Sequence, residues 1–325
     1  MQEFDEKINL ATDAENKADF LGATLHLKSA LEIARTNNMS SEIVSLKSRI
    51  TELSKKINFQ SFESRVDIPV TEINKAVADI LGDEPDTIAI LNRIGHHPAL
   101  FPKVDKVREQ ARSSTPIFFQ LASLSTFSQD GHLIKGGSNA GSAWSAKMYS
   151  IEQNLISGIY LQQAFSILKE KNGLTSDILI AYLEGKNIFQ DRNLELLKRG
   201  IDRYFEGDYT SALHILVPQF ESVFLYFSEK AGIDIIALER GEDISTRNKV
   251  LSENDLTKQN FIDVWSKDFC EQIRFTLFDP LGYKLRHKIA HGDITPEECT
   301  QINTELILYF FLVLAARVQI KLISQ

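Results

Sequence analysis

Downstream of residue 145, apolar side chains recur every three or four positions, the period of a helix that turns one face to a core. The pattern predicts helices at about 145–170, 175–184, 191–206, 208–231, 257–277, 280–291 and 296–323. Near the start, Ala18, Phe20, Leu21, Ala23, Leu25, Leu27, Ala30, Leu31 and Ala34 alternate small and large residues in helical phase, and Ile43 to Ile57 repeats the pattern with charges between. Residues 3–57 therefore read as a helical hairpin with a third, more polar arm. Phe59 to Ile68 is polar and reads as a linker ending at Pro69, with further helices at about 70–81 and 85–94. The period changes at Ile117, Phe118, Phe119, Leu121, Leu124 and Phe127, followed by Asp130-Gly131 and His132-Leu133-Ile134. An Asp-Gly pair between apolar runs predicts a small β-hairpin. Gly136-Gly137-Ser138-Asn139-Ala140-Gly141-Ser142 lacks the Gly-Lys-Ser/Thr ending of a phosphate loop and reads as a flexible loop. Residues 238–256 are charged and poor in large apolar groups, so a loop or cap is expected there. The expectation is a mainly α protein in three parts: 1–58, a helical hairpin and arm; 59–144, helices plus a hairpin connector; and 145–325, a helical domain.

Candidate chemistry is concentrated in one stretch, Lys284-Leu285-Arg286-His287-Lys288-Ile289-Ala290-His291-Gly292, followed by Thr295-Pro296-Glu297-Glu298. Histidine titrates near neutrality and serves as acid or base, while arginine stays charged and offers a planar fork matched to phosphate oxygens. On a continuous helix, five positions separate Arg286 and His291 by roughly 140°. Gly292 suits a helix C′ position, and Thr295, Pro296 and Glu298 read as N-cap, N1 and N3 of the next helix. His291 is therefore expected at or just past the helix end, free to turn back toward Arg286. A basic cluster in a last turn also complements the helix dipole, and that plainer reading stands beside the chemical one.

The motif and its setting resemble the HEPN superfamily over roughly residues 190–325, in the version written Arg-Asn-x-x-x-His. Arg286 and His291 match it, while His287 stands where asparagine is commonest, which leaves the role of His287 open. A second similarity is Pro218-Gln219-Phe220-Glu221, in a helix preceded by Glu206-Gly207-Asp208-Tyr209. In that superfamily an acidic residue on an earlier helix often orients the motif arginine, and Glu221 is the candidate. The resemblance implies a C-terminal HEPN-like helical bundle and a metal-independent endoribonuclease, without cofactor, that leaves 2′,3′-cyclic phosphate and 5′-hydroxyl ends. It implies a homodimer with facing motif corners, of the kind found in toxin–antitoxin and phage-defence systems. Arg286 would stabilise the phosphorane, His291 would act as general base or acid, His287 as auxiliary donor, and Glu221 would hold Arg286. The alternative is a non-catalytic HEPN fold used for protein contacts. At the other end, Asp19-Phe20-Leu21-Gly22-Ala23 and Ala30-Leu31-Glu32-Ile33-Ala34 are similar to one tetratricopeptide helix pair. A solenoid needs about three such units, so a hairpin docked on the body or on a partner protein is expected instead.

Charge narrows the picture. The 325 residues carry a net charge of −8, the wrong sign for a broad nucleic-acid surface, so RNA contact is assigned to a local patch of Lys284, Lys288 and Arg274 around Arg286. Cys270 and Cys299 have no metal-ligand spacing, and adjacent His96 and His97 cannot easily face one ion, so no metal is expected. The opening Met-Gln-Glu-Phe-Asp-Glu has no signal-peptide pattern, and the apolar run Leu306 to Val318 is too short to span a bilayer; a cytoplasmic protein is the expectation. That run is apolar nearly all round and must be enclosed on every side, which suggests a second copy of the chain as its neighbour.

Overall fold

The helical period is realised along most of the chain. A computed structural model describes residues 2–57, 67–114, 123–127, 133–187, 191–240, 244–248 and 250–322, and the protein is mainly α-helical. It divides into two compact units, residues 1–66 with 121–140, and residues 67–120 with 141–325.

In the first unit, α1 (Gln2–Asn16), α2 (Phe20–Thr36) and α3 (Ser40–Ser54) are joined by short turns in which Ala18 and Asn38 take positive φ. Asp19 caps α2 by accepting from the Gly22 N–H at 2.9 Å. Alanines 11, 23, 30 and 34 lie in the core with Leu27, Leu31, Leu46, Ile50 and Leu53, so the small residues of the pattern allow the helices to approach. Arg49 on α3 reaches Glu15 at 2.6 Å and Thr12 at 3.1 Å, tying α3 to α1. Strands β1 (Ser123–Phe127) and β2 (Leu133–Asn139) pair antiparallel, with Ser123 opposite Asn139 and Thr126 opposite Lys135. Gly136 to Asn139, expected as a flexible loop, thus lie in β2, where Ser138 and Asn139 stand opposite Leu124 and Ser123 and the register shifts at the two glycines. The expected Asp130-Gly131 turn and the run Ile117–Leu121 lie outside the described residues.

The second unit holds α4 (Val70–Leu81), α5 (Thr87–His96), α6 (Val104–Ser114), α7 (Ala140–Leu155), α8 (Gln162–Glu170), α9 (Ser176–Gly185), α10 (Asp191–Phe205) and α11 (Tyr209–Lys230). It continues with α12 (Gln259–Trp265), α13 (Lys267–Leu277), α14 (Leu285–His291) and α15 (Gln301–Leu322). A π-helical turn, Ile156–Leu161, joins α7 to α8. Strands β3 (Ile236–Arg240) and β4 (Ile244–Asn248) pair in register from Ile236 with Asn248 to Arg240 with Ile244, where a loop was expected. The β-branched residues Ile236, Ile244 and Thr246 favour extended backbone despite the charges around them.

Helix α15 is the axis of this unit. From Leu306 to Ala316 every side chain is buried, and α5, α8, α9, α11 and the π-turn all pack on it. The helix that was expected to need a second copy is therefore enclosed by its own chain. Phe220 on α11 meets Phe310 and Phe311 at 5.3 and 5.7 Å, and Phe269 on α13 meets Phe310 at 5.6 Å. Gly95 lets α5 touch the α15 backbone: a Cβ there would lie 2.4 Å from the Leu312 oxygen. This contact corrects the expected partition: Val77 to Phe101 share the core of the C-terminal helices, and Val104 and Val107 pack with Tyr149 and Phe275, so residues 70–114 belong to this unit instead of forming a connector with the strands. Three predicted helices also begin or break elsewhere, the last starting at Gln301 instead of 296. Ser266, at φ 71°, separates α12 from α13 and caps the latter through Phe269 N–H, and α14 begins at Leu285 rather than near 280.

Candidate active site

The late start of α14 sets the position of the motif. After α13 the chain folds back so closely that a Cβ on Gly282 would stand 2.0 Å from the Phe275 oxygen, and Tyr283 N–H donates to that same oxygen at 3.1 Å. Lys284 turns the backbone through a left-handed conformation, φ 55°, and Leu285 is buried in the core as the anchor of α14. Gly292 at φ 71° ends the helix, and Asp293 N–H returns to the Lys288 carbonyl at 2.8 Å. Thr295 and Glu298 form a capping box on a single 3-10 turn, Pro296–Glu298, with Thr295 N–H donating to Glu298 Oε2 at 3.1 Å. The long helix follows only at Gln301.

Arg286 points to α11. Its Nε donates to Glu221 Oε2 at 3.2 Å, and Glu221 Oε1 accepts from Leu251 N–H at 3.0 Å, so the carboxylate is held from two directions. Glu221 follows Pro218, whose ring removes one backbone hydrogen bond inside α11. Beside it, Asn193 donates to Gln219 at 2.7 Å and to Ser222 at 3.2 Å, fastening α10 to α11.

His291 is the last residue of α14 and does not turn back to Arg286. Helical geometry keeps those two about 140° apart, and His291 instead lies against His287, one turn earlier, with ring centroids 4.3 Å apart and planes inclined by 46°. Burial, then the charges of Lys284 and His291, depress the His287 pKa below its ordinary value. The corner thus has two subsets, Arg286 with Glu221 and His287 with His291.

The basic patch is smaller than the sequence indicated. Arg274 is bound by Glu271 at 2.8 Å, Glu253 at 2.5 Å and Asp279 at 2.7 Å. With three carboxylates around it and a side chain only 18% exposed, its charge is taken up by the fold's own acidic groups. Lys288 pairs with Glu298, the capping-box residue. Lys284 makes no ion pair among the described residues. A cavity of about 320 Å³ borders α14, lined by Asn154, Tyr283, Leu285, Lys288, Glu298 and Asn303 among others. Tyr283 donates to Asn154 at 2.5 Å. Sequence reasoning missed Asn154 and Tyr283, which are brought together only by the fold; Lys288 and Glu298 were legible in the sequence, one as a motif cation and the other as a cap. Elsewhere, His97 lies 3.4 Å from Asp79 and burial lowers its pKa, while His96 is exposed. Among the described residues no group of three or more His, Cys, Asp or Glu side chains is placed to hold a metal ion, and no helix is long and apolar enough to cross a membrane. Cys270 and Cys299 are buried free thiols, the former pushed by burial up to about 12. No protein-family model, curated protein or solved structure matches the chain.

Proposed function

We propose that this chain is a metal-independent endoribonuclease of HEPN type, working through Arg286, His287 and His291 with Glu221 as the positioning residue. The observation that carries the reading is the Arg286–Glu221 ion pair beside two histidine rings in tilted contact on one helical turn. Glu221 engages Nε of Arg286 and leaves the two terminal nitrogens as phosphate donors. One imidazole takes the proton of the ribose 2′-OH as that oxygen attacks phosphorus. The P–O5′ bond breaks, a second imidazole protonates O5′, and Arg286 offsets the charge of the phosphorane. The products are a 2′,3′-cyclic phosphate and a 5′-hydroxyl.

The same geometry argues for a homodimer. Rings 4.3 Å apart on one turn sit on one side of a phosphate, whereas in-line displacement needs acid and base on opposite sides. A second motif corner across a two-fold axis supplies the other side. A toxin–antitoxin or phage-defence setting, with a partner protein on the N-terminal helices, is the biological role this reading carries.

The deciding experiment incubates purified protein with mixed RNA in EDTA, beside an Arg286→Ala/His291→Ala double variant. Cleavage by the wild type alone, leaving cyclic phosphate ends, is the expected result. Cleavage abolished by EDTA and restored by magnesium, or equal cleavage by the double variant, overturns the reading. A second reading, a non-catalytic helical module for protein contacts, is favoured by the neutralised Arg274 and Lys288 and the net charge of −8. No cleavage by a folded wild type under any condition would select it.

A further inference from the structure

The histidine pair has a capability beyond proton transfer. His287 and His291 stand four positions apart in the last turn of α14, with ring centroids 4.3 Å apart. His291 is exposed and His287 half-buried, so solvent reaches the pair. Imidazole nitrogens bind zinc at about 2.0–2.1 Å, and one ion can lie within that distance of two rings so spaced. Helical zinc motifs use this same four-residue spacing to bring two histidines to one face. Because both ligands stand on one turn, little chain freedom is lost when they share an ion.

We propose that His287 and His291 form a two-histidine chelate for a borderline divalent transition ion (Zn²⁺, Ni²⁺ or Cu²⁺), and that its occupancy inhibits the ribonuclease. The binding half stands on geometry alone; the inhibitory half rests on the ribonuclease reading. Coordination commits one ring lone pair from each histidine to the ion. Neither ring can then accept the 2′-OH proton through that nitrogen or carry one to O5′. Water or a phosphate oxygen fills the remaining positions of the ion. Neutral imidazole suits Zn²⁺, Ni²⁺ and Cu²⁺, whereas Mg²⁺ and Ca²⁺ demand oxygen ligands and do not compete. Lys284 and Arg286 oppose a cation here and Asp293 favours one, since the same three charges act on His287. The site is therefore one of moderate affinity, suited to inhibition that chelators reverse.

Isothermal calorimetry of the full chain with ZnCl₂, NiCl₂ and MgCl₂ tests the chelate. The proteins are wild type, His287→Ala, His291→Ala and, as a control, His214→Ala, an exposed helical histidine that binds the Thr210 carbonyl. Circular dichroism verifies that each is folded. Zn²⁺ affinity is expected to fall on the order of tenfold or more in either corner variant and to stay unchanged in His214→Ala, with no heat from Mg²⁺. Undiminished Zn²⁺ affinity in either corner variant overturns the site. In a parallel RNA assay, cleavage in EDTA is expected to cease once Zn²⁺ exceeds the chelator. Cleavage that persists at saturating Zn²⁺ overturns the inhibitory half and leaves the ribonuclease reading intact. Absence of cleavage at every metal concentration removes both that reading and the inhibitory half, while calorimetry still decides the chelate.

Discussion

Replacing Gly95 by alanine is a direct test of whether α5 belongs to the core of the last helix. The added Cβ would stand 2.4 Å from the Leu312 oxygen and 2.8 Å from Ala316 Cβ, and neither atom is the mobile end of a long side chain. Restoring ordinary contact requires α5 and α15 to part by roughly 1 Å, which removes dispersion contacts along the whole crossing. Leu91, Ile94, Leu312 and Ala316 are buried, so the neighbourhood has no slack to absorb the methyl group. Overpacking of this kind costs about 1–3 kcal/mol, and the better helix propensity of alanine offsets about 1 kcal/mol of it. A net loss of up to about 2 kcal/mol is expected, which is a deficit of about 1–3 kcal/mol against a glycine-to-alanine change that meets no clash. Gly185→Ala on α9 is the matched control: nothing lies within 4 Å of its Cβ position, so only the propensity gain applies and stability should rise slightly. The measurement is urea unfolding followed by the fluorescence of Trp265, buried in this core and bonded to Ser228, in a Trp144→Phe background. If Gly95→Ala proves as stable as Gly185→Ala, the close helix crossing is wrong, and with it the placement of residues 70–114 in this unit.

Three further outcomes are expected. In a double-mutant cycle of Glu221→Gln with Arg286→Ala, unfolding by urea should report a coupling of about 0.5–1.5 kcal/mol, since both side chains are less than one-third exposed; additive effects would deny that Glu221 holds Arg286. Arg274→Ala should destabilise by about 3 kcal/mol by stripping the cation from three carboxylates, and an unchanged melting temperature would return Arg274 to the list of RNA contacts. Burial raises the pKa of Glu305 above its ordinary 4.5 in the face of hydrogen bonds from Tyr204 and Gln301 and the charge of Lys169, with Tyr209 also nearby. The folded state then holds a proton that the unfolded state has released, so this group's contribution to stability is full below about 4.5 and declines as pH rises toward the folded pKa, at up to about 1.4 kcal/mol per pH unit. Thermal melts from pH 4 to 8 should show that decline in the wild type relative to Glu305→Gln, and a difference independent of pH would refute it.

What the sequence determined by itself is what neighbouring residues decide among themselves. Helical periodicity located most of the helices, since one apolar stripe per 3.6 residues needs only a core to face. The stop at Gly292 and the box of Thr295 with Glu298 were legible because a left-handed glycine and a reciprocal cap are satisfied within a few residues. Other features depend on contacts between distant segments. The break at Ser266 and the late start of α14 follow from tertiary packing, the latter from Gly282 lying on the Phe275 carbonyl. The apolar middle of α15 announced enclosure, but only the fold showed that α5, α8, α9 and α11 provide it. At the corner, Arg274 and Lys288 read as free cations until Glu253, Asp279 and Glu298 were brought against them. Whether a charged side chain is available to a ligand is set by the carboxylates that packing places within about 4 Å, where charge pairs at a partly buried surface interact strongly. The spacing of His287 and His291 was in the sequence, but it took the observed helix end to place both rings in one continuous turn, and so to join them to each other instead of to Arg286.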